Sequence, residues 1–573
     1  MPRVSRSSSP RTAELALLTC LALCSTGVAA QTPPSPADAA PAAIAASTVE
    51  GAAQEIPSGA VLEQQGARVG NILIDPENIF DTSDPREDYR LYRLANLLHI
   101  KTHPEVIRQQ LLFKSGEPYS QRLVEESERI LRGARYLYDA RIKPVAYHDG
   151  VVDLMVTTRD VWTLNPGISF GRHGGKNTTG IELEELNILG TGTSLSLAQK
   201  SGLDRDTTAI EFKDPHVLGS WVTLAAMYSD NSDGRASALT LDRPFYALDT
   251  RWAAGVNLLD QEQVDSLYDL GHVVDQFREQ RQFAEAYWGR SSGLRNGWTR
   301  RWLVGATYDE KDFSLAPDWR DALLPQDRKF VYPWIGFELI QDDYTKYRNH
   351  DQIGRTEDFH LGTRLSARLG WASSSFGSNR DALIFSATAG YGMGTSEKST
   401  LLFKAGVDGR YQDGGLRDAV LKAAARYYNK QSEQMLFFAD LSTTAGHRLD
   451  LDDQILLGGD NGLRGYPLRY QNGDASALLT LEQRYFTHWY PFRLFRVGAA
   501  AFFDIGRTWG NSDVSTPSPT PSQGWLKDIG LGLRLGNSRS GLGNVVHVDL
   551  AFPLDGDPSI KNVQLTVETK QKF

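Results

Sequence analysis

From Trp162 to the C-terminus, apolar and polar residues alternate one by one. Val563, Leu565 and Val567 alternate with Gln564, Thr566 and Glu568, and Phe573 ends the chain in phase with the apolar set. Val546, Val548, Leu550 and Phe552 alternate with His547, Asp549 and Ala551. Ile529, Leu531, Leu533 and Leu535 alternate with Gly530, Gly532, Arg534 and Gly536. Val497, Ala499, Ala501, Phe503 and Ile505 alternate with Gly498, Ala500, Phe502 and Asp504, and Ile181 and Leu183 with Glu182 and Glu184. A period of two is the mark of a strand with two unlike faces. A soluble sandwich would bury the apolar face, whereas an outer-membrane barrel would turn it to lipid and line its lumen with the polar one. The repeated Glu, Arg, Asp and His of the polar face suit a wet interior. The strand region is also too long for one ordinary sandwich. The pattern predicts a mainly β chain: a roughly 16-stranded antiparallel transmembrane β-barrel over residues 161–573, preceded by one small α+β periplasmic domain.

The last strands can be given directions. With Phe573 at the periplasmic face, segment 562–573 runs inward, 544–553 outward, 529–536 inward and 494–505 outward. Connection 507–528, with its Ser515-Thr516-Pro517-Ser518-Pro519-Thr520-Pro521-Ser522 tract, then lies outside, and 488–493 and 537–543 are short periplasmic turns. Short inner and long outer connections are usual in such barrels. The loop at about 448–473 begins on the outside.

Before the barrel the period changes. Val69, Ile72 and Ile74 open a strand, and Thr102-His103-Pro104-Glu105 reads as a helix start capped by Thr102. Leu123, Ser127, Ile130, Leu131 and Ala134 fall on one face of a second helix. Residues 141–145 and 151–157 read as two strands joined at Asp149-Gly150. The order strand, helix, helix, strand, strand gives an α+β domain over 67–160. Residues 31–66, rich in Ala, Pro, Ser and Gln, read as a flexible linker. Arg3, Arg6 and Arg11, the apolar run from Leu15 to Cys24 and the small residues Val28-Ala29-Ala30 lay out a signal peptide over 1–30. Cys20 and Cys24 make a lipoprotein signal the alternative, although Thr19 and Leu23 fit such a site poorly.

Of the 573 residues, only Cys20 and Cys24 are cysteines, so no disulfide framework is expected after signal removal. The net charge of −9 becomes −11 once three Arg and one Glu leave with residues 1–30, which argues against nucleic acid as a partner. No apolar run is long enough for a transmembrane helix.

One stretch stands apart. Leu457-Gly458-Gly459-Asp460-Asn461-Gly462-Leu463-Arg464-Gly465-Tyr466-Pro467 can fold tightly, with Arg464 at its tip. Glu482 lies in the next strand, and Phe502-Phe503-Asp504-Ile505-Gly506 in the one after. Alternation turns Asp504 to the lumen. If the loop folds inward, one planar guanidinium can face both carboxylates, a task for which Lys is unsuited. Spacing alone also allows three separate, solvated charges.

Gly462-Leu463-Arg464-Gly465-Tyr466 resembles the loop signature of the BamA/TamA-type outer-membrane assembly proteins and two-partner-secretion transporters. Phe502, Asp504 and Gly506 are similar to that superfamily's strand motif, and Glu482 matches the acid of the intervening strand. The α+β segment resembles its polypeptide-transport-associated domain, with Phe113-Lys114-Ser115-Gly116-Glu117-Pro118-Tyr119-Ser120 between two helices. Leu189-Gly190-Thr191-Gly192 and Asp242-Arg243-Pro244-Phe245-Tyr246 look like its early-strand motifs. The resemblance implies a sixteen-stranded barrel whose inward-folded sixth loop pairs Arg464 with Glu482 and Asp504. It also implies a C-terminal strand signal at Phe573 and a lateral opening between the first and last strands. The chain departs from the pattern in having room for a single periplasmic domain, which leaves the client open.

Other chemistry is not expected. His99 and His103 are four apart, but a helix that starts at His103 puts them on no common face, so no metal is assigned. Gly390-Tyr391-Gly392-Met393-Gly394-Thr395 lacks the Lys-Ser/Thr ending of a phosphate loop, and neither G-x-S-x-G nor H-E-x-x-H occurs. The expectation is a non-enzymatic, cofactor-free outer-membrane protein that inserts or translocates client polypeptides without nucleotide. Its partners would be outer-membrane lipids and a client polypeptide, with a periplasmic chaperone or accessory protein as a further candidate. The alternative is a passive pore or surface-exposed structural barrel.

Overall fold

A computed structural model describes residues 56–317, 319, 323–396, 398–510, 524–541 and 545–570. The expected signal peptide, most of the linker, the Ser-Pro tract and Phe573 lie outside the described residues.

The first part is built from α1 (Gly59–Gln64), β1 (Arg68–Glu77), α2 (Arg90–Leu98), α3 (Pro104–Gln109), α4 (Gln121–Gly133), β2 (Leu137–His148) and β3 (Val151–Asp160). The sheet runs β1-β3-β2, with β1 parallel and β2 antiparallel to β3. The β2–β3 hairpin turns at Asp149 (φ 50°) and Gly150 (φ 76°), left-handed conformations that this residue pair accepts at low cost. Val152, Leu154 and Val156 of β3 alternate into a core shared with Val124 and Leu131 of α4.

Three details differ from the sequence reading. Gly59–Gln64 is a helix inside the expected linker, and Leu62 is fully buried in the domain core, so a single apolar residue outweighs the linker composition. The helix expected from Thr102, α3, begins at Pro104 with His103 as its cap residue. Thr102 is instead drawn to the buried Asp160, which accepts from its amide at 2.7 Å and its hydroxyl at 3.1 Å. Helix α2 was not foreseen, although Leu91, Leu94, Leu97 and Leu98 share one side of it; that side is exposed and marks no core face.

The rest of the described chain closes into an antiparallel barrel from β4 (Leu164–His173) to the strand Gln564–Lys570. Among the described residues it has twenty strands, not sixteen. The expectation set short inner connections against long outer ones. Hairpins closed by two-residue turns, such as Leu270-Gly271 and Asp413-Gly414 with φ between 49° and 76°, use far less chain and leave material for four more strands. Leu531, Leu550, Trp302 and Ile335 stand exposed on the outer wall, while Arg534, Asp504 and Asp549 are buried inside. That is the arrangement of a transmembrane barrel, with lipid outside and polar groups within.

Counting directions from β4, the connection between strands Arg328–Gln341 and Arg364–Ala372 lies at the barrel end that carries the N-terminal domain, the end expected to be periplasmic, and it holds a small extra hairpin, Tyr344–Arg348 with Thr356–His360. The tip residue Ile353 packs with Tyr428, Leu436, Phe438, Phe486 and Val545 of the barrel. The other side of the hairpin meets α4. Arg132 donates to both Asp358 oxygens at 2.8 and 2.7 Å, and Lys346 bonds Glu128 at 2.5 Å. Arg129 lies 3.7 Å over the Tyr344 ring. Elsewhere on the rim Arg135 grips Glu184 at 2.8 and 3.0 Å, Glu126 accepts from the Leu248 amide at 2.8 Å, and Arg539 pairs with Glu87. The polar side of α4, opposite its apolar stripe, is thus the docking face on the barrel mouth.

Candidate functional site

The loop between strands Met435–His447 and Ala475–Phe486 starts at the outer end of the barrel and folds into the lumen. Its two limbs are zipped by the pairs Ile455↔Gly473 and Leu457↔Gln471. At the tip the Asn461 carboxamide accepts from the Gly458 amide at 2.5 Å, and the Gly458 carbonyl accepts from the Leu463 amide at 3.0 Å. Gly462 sits at φ 122°, and a Cβ there would lie 2.2 Å from Leu478. A Cβ on Gly465 would meet Asp528 at 2.7 Å. Only glycine lets this tip press against the wall.

Arg464 and the acids named from the sequence are brought together. Nε and Nη2 of Arg464 donate to the two Asp504 oxygens at 2.7 and 2.9 Å, and Nη1 donates to Glu482 Oε1 at 2.9 Å. The guanidinium lies 3.4 Å over the Phe502 ring. Leu463 and Tyr466 are fully buried, and the Tyr466 hydroxyl donates to the Lys527 carbonyl at 2.7 Å while accepting from the Lys527 amide at 3.0 Å. A Cβ on Gly506 would be 2.8 Å from Leu457, so that glycine seats the loop limb.

Several partners were missed. Asp549 faces Arg464 Nη1 at 3.4 Å, and Arg534 pairs with Asp549. Arg484 donates to Glu482 Oε2 at 2.9 Å and to the His350 carbonyl of the periplasmic hairpin at 2.8 Å. The Gly465 amide donates to Asp528 at 3.0 Å. Alternation had placed Arg534 and Asp549 on the inner face, but it does not say at which height on neighbouring strands they meet. Arg464, Arg484, Arg534, Glu482, Asp504 and Asp549 are all buried, so the pairing takes place away from bulk water.

Two further anchors hold the loop. At its base Asp452 accepts from Arg328 at 2.9 and 2.6 Å and from Lys311 at 3.1 Å, while Asp450 accepts from Arg410 at 2.6 Å. On the far limb Arg469 grips Asp204 of another outer turn with two bonds of 2.6 Å. Beyond the tip the Gly174-Gly175 turn after β4 presses on the loop, so that a Cβ on Gly174 (φ 49°) would lie 2.3 Å from the Leu468 amide nitrogen. Asp452→Asn should cost about 1–3 kcal/mol, because Arg328 keeps Asp450 and Lys311 keeps Glu279. A lower unfolding temperature with an undiminished yield of barrel is the expected result; an unchanged temperature would mean the base of the loop is held by other contacts.

The loop is the eighth outward connection among the described strands, not the sixth, because two extra hairpins precede it. From the C-terminus it is the third, the place that the sixth loop takes in a sixteen-stranded barrel. His99 bonds Asp160 at 2.9 Å, whereas a Cβ on Gly190 would meet the His103 ring at 2.5 Å, so the two histidines are committed to different neighbours. Gly390 to Gly394 lie within the strand Ala382–Ser396, where a Cβ on Gly392 would strike Leu361 of the periplasmic connection at 2.9 Å.

No family model matches the chain, and no curated protein matches it. Among solved structures it is similar to CdiB from Escherichia coli, with 12% identity, 89% of this chain and 77% of that chain covered, and a TM-score of 0.47. CdiB from Acinetobacter baumannii matches at 13% identity over 88% of this chain and 74% of that one, with a TM-score of 0.42. BamA from Haemophilus ducreyi lacking POTRA domains 1–3 matches at 13% identity over 88% and 85%, with a TM-score of 0.38.

Proposed function

We propose that this protein is an outer-membrane barrel that inserts or translocates client polypeptides without nucleotide hydrolysis, with its N-terminal α+β domain, residues 67–160, in the periplasm. The observation that carries the proposal is the closure of the barrel. Among the described residues, β4 and the last strand share one registered pair, Arg172↔Val567, where every other neighbouring pair of barrel strands shares seven or more. A seam so short costs little to part and leaves two strand edges on which a client strand can form hydrogen bonds. Arg464, held by Glu482 and Asp504, keeps the inward loop beside that seam.

The periplasmic sheet offers a first docking place. Of its two outer strands, β2 is interrupted by Pro144 and a register shift to Ala146, features that blunt an edge. β1 is likewise interrupted, by Pro76 and a register shift between Val69 and Ile72, and its start is bonded to Gly116 and Glu117, so the client strand would add along the stretch of either outer strand that stays unpaired. The partners are outer-membrane lipids and the client, with a periplasmic chaperone or accessory protein as a further candidate.

The test is a protein inventory of outer membrane and culture medium with and without this gene. Loss of one or a few barrel or exported proteins is expected, restored by the intact gene but not by a chain lacking residues 68–160. An unchanged inventory would overturn the proposal in favour of a passive pore or structural barrel.

A further inference from the structure

Helix α2 is apolar on the side it turns away from the protein. Its inner side is spoken for: Tyr92 is buried and stacks on Phe80 with ring centroids 4.2 Å apart, and Asn96 bonds the Phe80 amide and carbonyl at 3.1 and 2.8 Å. Leu91, Leu94 and Leu98, one stripe at i, i+3 and i+7, are exposed together with Leu97, which is 80% accessible. Four leucines on two turns of helix are an unusual load for a surface that meets only water.

The helix is fixed at the periplasmic rim of the barrel. The Tyr92 hydroxyl donates to the Phe492 carbonyl at 2.5 Å, and Arg539 reaches from the next periplasmic turn to the Ile79 carbonyl at 2.5 Å and to Glu87. Leu494 packs into the same small cluster as Ile79, Phe80 and Tyr92. The turn that holds α2 is itself decorated with exposed Trp489 and Phe492, and it runs directly into Phe495, the first residue of a membrane-spanning strand and exposed on the wall. The apolar surface of α2 therefore continues an aromatic rim of the kind that marks the level of lipid headgroups.

We propose that α2 is a membrane-interface helix that rests its leucine face in the periplasmic leaflet of the outer membrane. The chemistry of the surface fits lipid. The leucines stand out from the helix in a single exposed row, and acyl chains need only area. Exposed Arg90 and Arg93 border the row and can extend to lipid phosphates, although Arg93 shares its charge with Asp88 at 2.5 Å. Through α2 the bilayer would hold the domain against the barrel from the outside, as the ion pairs of α4 hold it from within.

The test uses the full chain in vesicles of phosphatidylethanolamine and phosphatidylglycerol. After signal removal the protein has no cysteine, so Leu97→Cys, Leu98→Cys and the exposed control Ser115→Cys can each carry one NBD fluorophore. Lipids with a doxyl quencher on the fifth acyl carbon should remove about half of the emission at Leu97 and Leu98, since an interfacial helix lies at about that depth, and little at Ser115. All three variants should keep the heat-modified gel mobility of the folded barrel. Equal, weak quenching at all three positions overturns the proposal. So does emission at Leu97 that responds only when an unfolded polypeptide is added, which would assign the leucine face to a protein partner. Neither outcome depends on whether the barrel handles clients.

Discussion

Arg464→Ala is expected to leave little assembled barrel in the outer membrane. The substitution removes the guanidinium that grips both Asp504 oxygens and takes from Glu482 and Asp549 one of their cations, all three acids being buried. Stranding a buried charge in this way costs about 3–5 kcal/mol, which is a large part of the stability of an ordinary domain. Arg534 and Arg484 still face Glu482 and Asp549, so the greatest loss falls on Asp504, which keeps Thr480 at 2.8 Å and the facing carboxyl of Asp528 but no cation in direct contact among the described residues. Arg464→Lys should recover only part of the yield, because one ammonium cannot span three carboxylates in a plane. Adding Asp504→Asn to Arg464→Ala should recover part as well, since it removes the stranded charge. Barrel yield, heat-modified mobility and bilayer conductance are the measurements. If Arg464→Ala changes none of them, the clamp does not hold the loop.

The second large effect is expected from locking the seam. Arg172 and Val567 are directly opposed, and opposed residues of an antiparallel pair stand within reach of a disulfide. In a mature chain otherwise free of cysteine, Arg172→Cys with Val567→Cys can form one bond and no other. Oxidised, this barrel should assemble in normal amount and lose its effect on the client proteins almost completely, and a reducing agent should restore it. Client levels unaffected by the closed disulfide would exclude a lateral route, whatever else the protein does.

The clamp was legible through the resemblance of residues 462–466 and 502–506 to a known pattern. Alternation, which turns Asp504 inward, and a glycine-rich loop that can fold tightly only allowed it, since they fit separate solvated charges equally well. The sequence did not carry the full network, since period-two alternation gives a face and no height: Asp549 and Arg534 were on the inner face from the start, but only the strand register sets them beside Arg464. The strand count failed for a related reason, because turns such as Leu270-Gly271 can be recognised only after their flanking strands are placed. The hairpin 344–360 was invisible, its short strands having the same period as the barrel wall, and only Ile353 in the lumen shows that it belongs elsewhere. Helix α2 escaped although its leucines share one side, because that side is exposed and adds nothing to the core that the sequence points to.

The close approach of Gly174 to the inward loop has a mechanical meaning. The turn that follows β4 bears on Pro467 and Leu468, while the same loop is fastened through Arg464 and Tyr466 to strands on the other side of the seam. The loop thus works as a hasp across a door whose leaves are β4 and the last strand. For β4 to swing away, its turn must slip off the loop first, so a weak seam can stay shut at rest. Loosening of the loop at the cell surface and parting of the wall within the membrane would then be a single event, begun from either end.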